Sequence, residues 1–171
     1  MKRLLLVLAR ALHTLALALW LGGLVAIGAL VAPTAFHVTR TAPVLIGRIT
    51  QQNALAGAII GGSLRGFNFL CLGCAALLLA VNLSLLPATS RRWTWACLVT
   101  VTLLLVSVLF LAFRLTPAMD LAQGRGDMAA FDRMHHEYEQ FSSLVQLPLL
   151  LLLTVFTALR ETGSGDGDTK K

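Results

Sequence analysis

Four histidines are the residues of this chain best suited to chemistry, and their spacing separates them into two groups. His13 lies inside a long apolar run, "HTLALALWLGGLVAIGALVAP", with Trp20, Gly22 and Gly23 following it. His37 comes 24 residues later, about 36 Å along a helix rising 1.5 Å per residue, so these two cannot share one site without a turn between them. His135 and His136 sit in "FDRMHHEYEQF", beside Met134. His37, His135, His136 and Met134 together form a soft donor set suited to copper. His13, buried among apolar residues, could be a metal or haem ligand, a proton carrier, or an imidazole hydrogen-bonded to a neighbouring helix through Asn68, Asn82 or Ser107. Haem or quinone redox chemistry would want a second histidine on a facing apolar run, and none occurs.

Other chemistry is excluded by pattern. There is no glycine-rich phosphate loop ending in Lys-Ser/Thr, no Gly-x-Ser-x-Gly elbow and no His-Glu-x-x-His. Cys71-Leu-Gly-Cys74 has the spacing of a redox or zinc pair, but it lies inside an apolar run without a second ligand pair, so the thiols read as small packing groups. These absences favour a protein without catalytic activity or resident cofactor, copper being the metal the outer histidines would take.

The elements that must position these residues are set by composition. Of 171 residues, 57% are hydrophobic and 13% charged, where a soluble domain carries roughly 25% charged residues. The apolar residues gather into runs near the ~20-residue length that crosses ~30 Å of hydrocarbon. Four spans are expected, at about 7–32, 68–86, 93–113 and 141–159, in one membrane domain of residues 1–160, with 161–171 a disordered tail. The fold class is therefore all-α, an integral membrane four-helix bundle with an amphipathic extramembrane helix before the last span. The N-terminal Met-Lys-Arg and apolar run imitate a signal peptide, but the run is too long for a cleavable core and reads as an uncleaved first span.

Between the spans, Pro33 and Pro87 are expected to stop helices, and Pro148 to kink the last one. "NALAGAIIGG", residues 53–62, is a helical lead-in to the second span or a re-entrant piece, with Gly57 and Gly61 spaced for close helix contact. "PATSRRW" is a turn, followed by Trp93 and Trp95 as interfacial anchors. Gly126-Asp127 marks a helix start with Asp127 as N-cap, and the helix can continue through the fourth span.

The net charge of +6 is scattered among the ends of the runs, which points to topology rather than to a nucleic-acid partner. Eight cations (Lys2, Arg3, Arg10, Arg91, Arg92, Arg160, Lys170 and Lys171) fall on the side of the termini. Six (Arg40, Arg48, Arg65, Arg114, Arg125 and Arg133) fall on the other. The positive-inside rule then puts the termini in the cytoplasm of a cell with an inner (plasma) membrane.

Within the first span, His13, Ala16, Trp20, Gly23 and Ile27 share one helical stripe, and Thr14, Ala18, Gly22 and Ala26 an adjacent stripe of small residues. The small stripe is expected to be the packing face, within the bundle or in a homo-oligomer. Phe131, His135, Tyr138 and Ser142 share another face, with His135 and Glu139 four apart and set to pair. Arg65 and Arg114, flanking the second and third spans, either snorkel or pair with Asp120, Asp132 or Glu137. His13, Trp20, Arg65 and Arg114 are the expected polar centre, with His135 beside them.

Three blocks carry a family resemblance: "LHTLALALWLGGLVAIGALVAPTAF", "AGAIIGGSLRGFNFL" and "FDRMHHEY". In that order they resemble the transmembrane-protein-205-like domain family, itself a domain of unknown function, with Met134 and Tyr138 departing from its pattern. The resemblance implies a four-span membrane protein. The His13 to Gly23 run is also similar to the opening of the copper-resistance D family, inner-membrane proteins linked to copper uptake. The expected function is small-solute or ion handling, or support of an assembly, with copper handling as the first rival.

Overall fold

The computed structural model describes residues 2–86 and 91–162, and it is helical nearly throughout. The described chain forms α1 (Lys2–Ala26), α2 (Ala32–Thr41), α3 (Ile49–Leu85), α4 (Arg91–Phe110), α5 (Thr116–Gly124), α6 (Met128–Phe141) and α7 (Leu147–Thr162). Four long rods result, Leu4–Thr41, Ile49–Leu85, Arg92–Gly124 and Met128–Arg160, each long and apolar enough to cross a membrane. The all-α membrane bundle expected from composition is what forms. The turn around Pro87 falls mostly outside the described residues, as does the tail beyond Thr162.

Each rod exceeds the ~20 residues a bilayer requires; α3 alone has 37 residues, about 56 Å. The excess lies beyond the apolar runs on the side of the first and third loops. There α2, the start of α3, α5 and α6 pack together as a cap. Residues 53–62 are continuous with the rest of α3, so the helical lead-in is correct and a re-entrant turn is not formed.

Pro33 does not end the first rod as expected. Ile27–Val31 form a π-turn, closed by the Ala32 N–H on the Ile27 carbonyl, and the helix resumes with Pro33 in its first turn. The same device recurs at Leu111–Leu115 before Pro117 and at Ser142–Gln146 before Pro148. Each π-turn ends two residues before its proline. A proline ring clashes with the carbonyl four residues back, and widening that turn moves the carbonyl aside so the rod can continue.

Asp127 caps α6 as the sequence suggests: its Oδ1 accepts the Ala130 N–H at 3.0 Å, and Gly126 supplies the positive φ of 71° that reverses the chain. From there α6, its π-turn and α7 run as one rod.

The rods pack in chain order, first on second, second on third, third on fourth, and among neighbouring pairs the first and fourth meet least. Trp20, Cys71, Leu78, Cys97, Val101, Leu104 and Leu153 fill the middle, and Leu64, Leu111, Met119 and Tyr138 fill the end nearer the cap. Leu15, Val25, Phe69, Leu103, Leu151 and Val155 are exposed on the outer surface, which is the apolar exterior that lipid requires. Cys71, Cys74 and Cys97 are buried free thiols.

Within the bundle α1 packs by the other stripe, not by its small residues. Thr14, Ala18 and Gly22 are exposed, whereas His13, Ala16 and Trp20 are buried. The reason is Phe67: a Cβ on Gly23 would lie 2.2 Å from its ring, so Gly23 admits Phe67 against α1, and the Trp20 stripe turns inward with it.

Candidate functional site

Two polar assemblies lie inside the bundle, near opposite ends. The first joins the first, second and fourth rods near the termini. His13 Nε2 lies 2.9 Å from Thr157 Oγ1, and Thr157 Oγ1 donates to the Leu153 carbonyl at 2.8 Å. With that hydroxyl proton spent, the histidine must donate, so the ring is the Nε2–H tautomer. Its Nδ1 then accepts from Asn82 Nδ2 at 3.5 Å, the limit of hydrogen-bond length. Asn82 also donates to the Leu78 carbonyl and accepts from Arg160 at 2.6 Å. Cys97 of the third rod is buried in the apolar core.

Arg160 is the residue the sequence misplaces. It was counted among the cations at the terminal end, yet it is 2% exposed. A guanidinium in that setting needs its donors matched, and the Asn82 amide oxygen matches one of them. The only sequence signal was its place on α7 one turn beyond Thr157, on the face that meets His13.

The second assembly lies where the bundle meets the cap. Tyr138 donates to Asn68 Oδ1 at 2.9 Å, Asn68 donates to Thr116 Oγ1 at 3.1 Å, and Thr116 donates to the Leu111 carbonyl at 2.8 Å. The relay ends on the π-turn of the third rod, whose widened geometry leaves that carbonyl accepting the Thr116 N–H as well. Outside it, Arg65 of α3 pairs with Asp120 of α5, one of the alternatives open to it, with both side chains about half exposed.

Beside this relay a cleft opens between the first and fourth rods, the neighbouring pair that packs least. It has a volume of about 360 Å³. Ile60, Leu64 and Phe67 form its floor, Leu24, Ile27, Gly28 and Phe36 one wall, and His135, Tyr138, Glu139, Ser142 and Leu147 the other. The shared face of His135, Tyr138 and Ser142 is therefore real, and it faces a cavity. Phe131 stacks on His135 at 5.8 Å, and His135 Nε2 lies 3.3 Å from Glu139 Oε1. Ser142 Oγ is buried with no hydrogen-bond partner, as is Trp20 Nε1.

A second cavity of about 320 Å³ lies in the cap, lined by Arg40, Asn53, Gln123, Asp120, Asp132 and His135 among others. Gly57 sits at its edge, where a Cβ would approach Gln123 Nε2 to 3.2 Å; Gly61 has open space.

The expected polar centre divides between these places. His13 belongs to the terminal network, Trp20 to the apolar core, and Arg65 to the cap, while Arg114 is exposed. The expected copper donors are not gathered either. His37 is exposed, Met134 packs against the apolar cluster, and His136 is hydrogen-bonded to Gln140 at 3.0 Å. Among the described residues no three His, Cys, Asp or Glu side chains come within reach of one ion. Both ring nitrogens of His13 have a polar neighbour, Thr157 Oγ1 on one side and Asn82 Nδ2 on the other.

No curated protein and no solved structure matches the chain. The family comparison begins just after His13 in the first rod and stops at the Asp127 cap, short of the rod that carries His135, Tyr138 and Arg160. Over residues 15–127 the chain matches DUF4149, a domain of unknown function, and it belongs to that family.

Proposed function

We propose that this multi-pass membrane protein is a non-catalytic binder of a small solute, and that the cleft between the first and fourth rods is where the solute is held. One observation carries the reading: the cleft combines an apolar floor with Ser142, whose buried hydroxyl has no partner in the protein. Its volume lies within the ~300–1,000 Å³ range of small-molecule sites. The neighbouring Tyr138–Asn68–Thr116 relay fixes one wall, so the cleft is held open by satisfied hydrogen bonds.

The test is a thermal-stability screen of purified protein against small apolar and hydroxyl-bearing compounds, run beside Gly28→Leu. Gly28 lines the cleft and has nothing within 4 Å of a Cβ, so leucine occupies the cleft with little risk to folding. Compounds that stabilise the native protein and not the variant support the reading; equal responses from both across the screen overturn it.

The orientation is part of the proposal: termini in the cytoplasm, cap outside, in an inner or plasma membrane. The positive-inside count supports it. Cysteine labelling at Gly124, with the native thiols replaced, should react from outside intact cells. Protection there until the cells are opened would reverse the assignment.

A further inference from the structure

The cap cavity and the seam cleft have four lining residues in common, Phe36, Ile60, Leu64 and His135. The two cavities adjoin along these shared residues, beside the stacked Phe131–His135 pair. Along the two cavities polarity changes in one direction. Leu24, Ile27, Phe67 and Leu147 line the deep end, His135 and Glu139 stand midway, and Arg40, Asn53, Gln123 and Asp132 line the far end. The change coincides with the ends of the apolar runs: Leu24 to Ala32 and Ser142 to Leu147 lie within them, and Phe36, Ile60 and His135 lie beyond.

We propose that these adjoining cavities bind a single-chain amphiphile with an ammonium-bearing head, its chain in the seam cleft and its head in the cap cavity. The proposal rests on the reading of the cleft as a binding site. The chain end follows from the apolar lining, since Ile60, Leu64 and Phe67 form one ridge at i, i+4 and i+7 along the cleft. Exposed Val25 and Phe36 on one rim and Glu139 and Ser143 on the other leave it open along the outer surface, so a chain enters sideways from lipid.

The head end follows from charge. Three carboxylates, Asp120, Asp132 and Glu139, line the two cavities against one guanidinium, Arg40. Arg65 engages Asp120, and Arg40 lies 5.7 Å from the centroid of the Phe36 ring at the junction. Glu139 stands against His135 in the seam cleft, so Asp132 is the carboxylate of the cap cavity left to meet an ammonium, while Arg40 can meet a phosphate beside it.

The experiment uses the full chain in phosphatidylglycerol nanodiscs with lysophosphatidylethanolamine carrying a diazirine near its chain end. Photolabelling is expected in the peptides holding residues 24–32 and 142–147. Unlabelled lysophosphatidylethanolamine should compete about tenfold better than lysophosphatidylglycerol, the difference expected from about one charge-assisted contact. Gly28→Leu should cut labelling at least about fivefold by steric exclusion. Asp132→Asn should remove the preference between heads and keep the chain-end labelling.

Equal competition by the two lysolipids, or undiminished labelling of Gly28→Leu, would mean annular lipid only and overturn the proposal. If the stability screen finds solutes blocked by Gly28→Leu and lysophosphatidylethanolamine does not label, the amphiphile is wrong and the cleft reading stands. If neither responds to Gly28→Leu, both are wrong.

Discussion

At the terminal end of the bundle His13, Asn82, Thr157 and Arg160 close the first, second and fourth rods onto one another; at the cap end Tyr138, Asn68 and Thr116 tie three helices together beside an open cleft. Both regions satisfy polar groups inside an apolar bundle, but only the cap-end one adjoins a cleft between the first and fourth rods. The first and fourth rods make the difference. Near the termini the His13–Thr157 bond joins them directly, and toward the cap nothing comparable crosses the seam, where instead Ile27–Val31 and Ser142–Gln146 widen both backbones. A closed network with a buried guanidinium serves as a lock, and an open seam with an unpartnered hydroxyl serves as a receptor. Binding sites in bundles are commonly built between helices in this way, where packing is incomplete and the polar groups nearby are already fixed.

The strongest way to break this comparison is to open the lock. Asn82→Ala removes the partner of buried Arg160 and of His13 Nδ1, and should cost about 2–3 kcal/mol, the scale of a lost hydrogen bond to a charged group. Thermal unfolding in detergent measures it, and a loss below about 0.5 kcal/mol would mean the network is not structural. Gly23→Ala comes next. The Cβ must displace the Phe67 ring, at an overpacking cost of about 1–3 kcal/mol, whereas Gly28→Ala on the same helix should stay within about 0.5 kcal/mol of the native protein. If the two alanine variants unfold together, Phe67 does not seat as described.

At the cap end the effects should be smaller. Tyr138→Phe deletes the first bond of its relay and should cost about 1 kcal/mol, as the phenol packs among apolar residues that the phenyl ring still fills. A larger loss would make the relay as much a lock as the terminal network. Smallest is the Arg65–Asp120 pair. Half exposed at both ends, it should show a double-mutant coupling of about 0.2–1 kcal/mol that fades with added salt. A salt-insensitive coupling would place the pair in a drier setting than its exposure indicates.

Much of this molecule was legible in its residues. Run lengths gave four rods, Gly126-Asp127 gave the start of α6, and helical spacing put His135, Tyr138 and Ser142 on one face. The pairing of Arg65 with Asp120 was among the alternatives that charge alone allowed. The prolines were read as stops or kinks because a proline removes a donor and crowds the preceding turn; that the turn before each would widen and let the helix continue depends on neighbouring rods holding the axis straight.

By itself, then, the sequence determined the membrane class, the number of rods and which side chains share a face, since these follow from apolar length and a 3.6-residue period. Only the tertiary structure decided which faces turn inward. In a soluble helix the polar side marks the exterior, but in lipid both sides of α1 are apolar, and the Trp20 stripe and the small-residue stripe cannot be told apart by hydropathy. Contact chose between them, through Phe67 fitting over Gly23. The same contact drew His13 to Asn82 and Thr157, buried Arg160 behind them, and left the cleft at the opposite end of the seam.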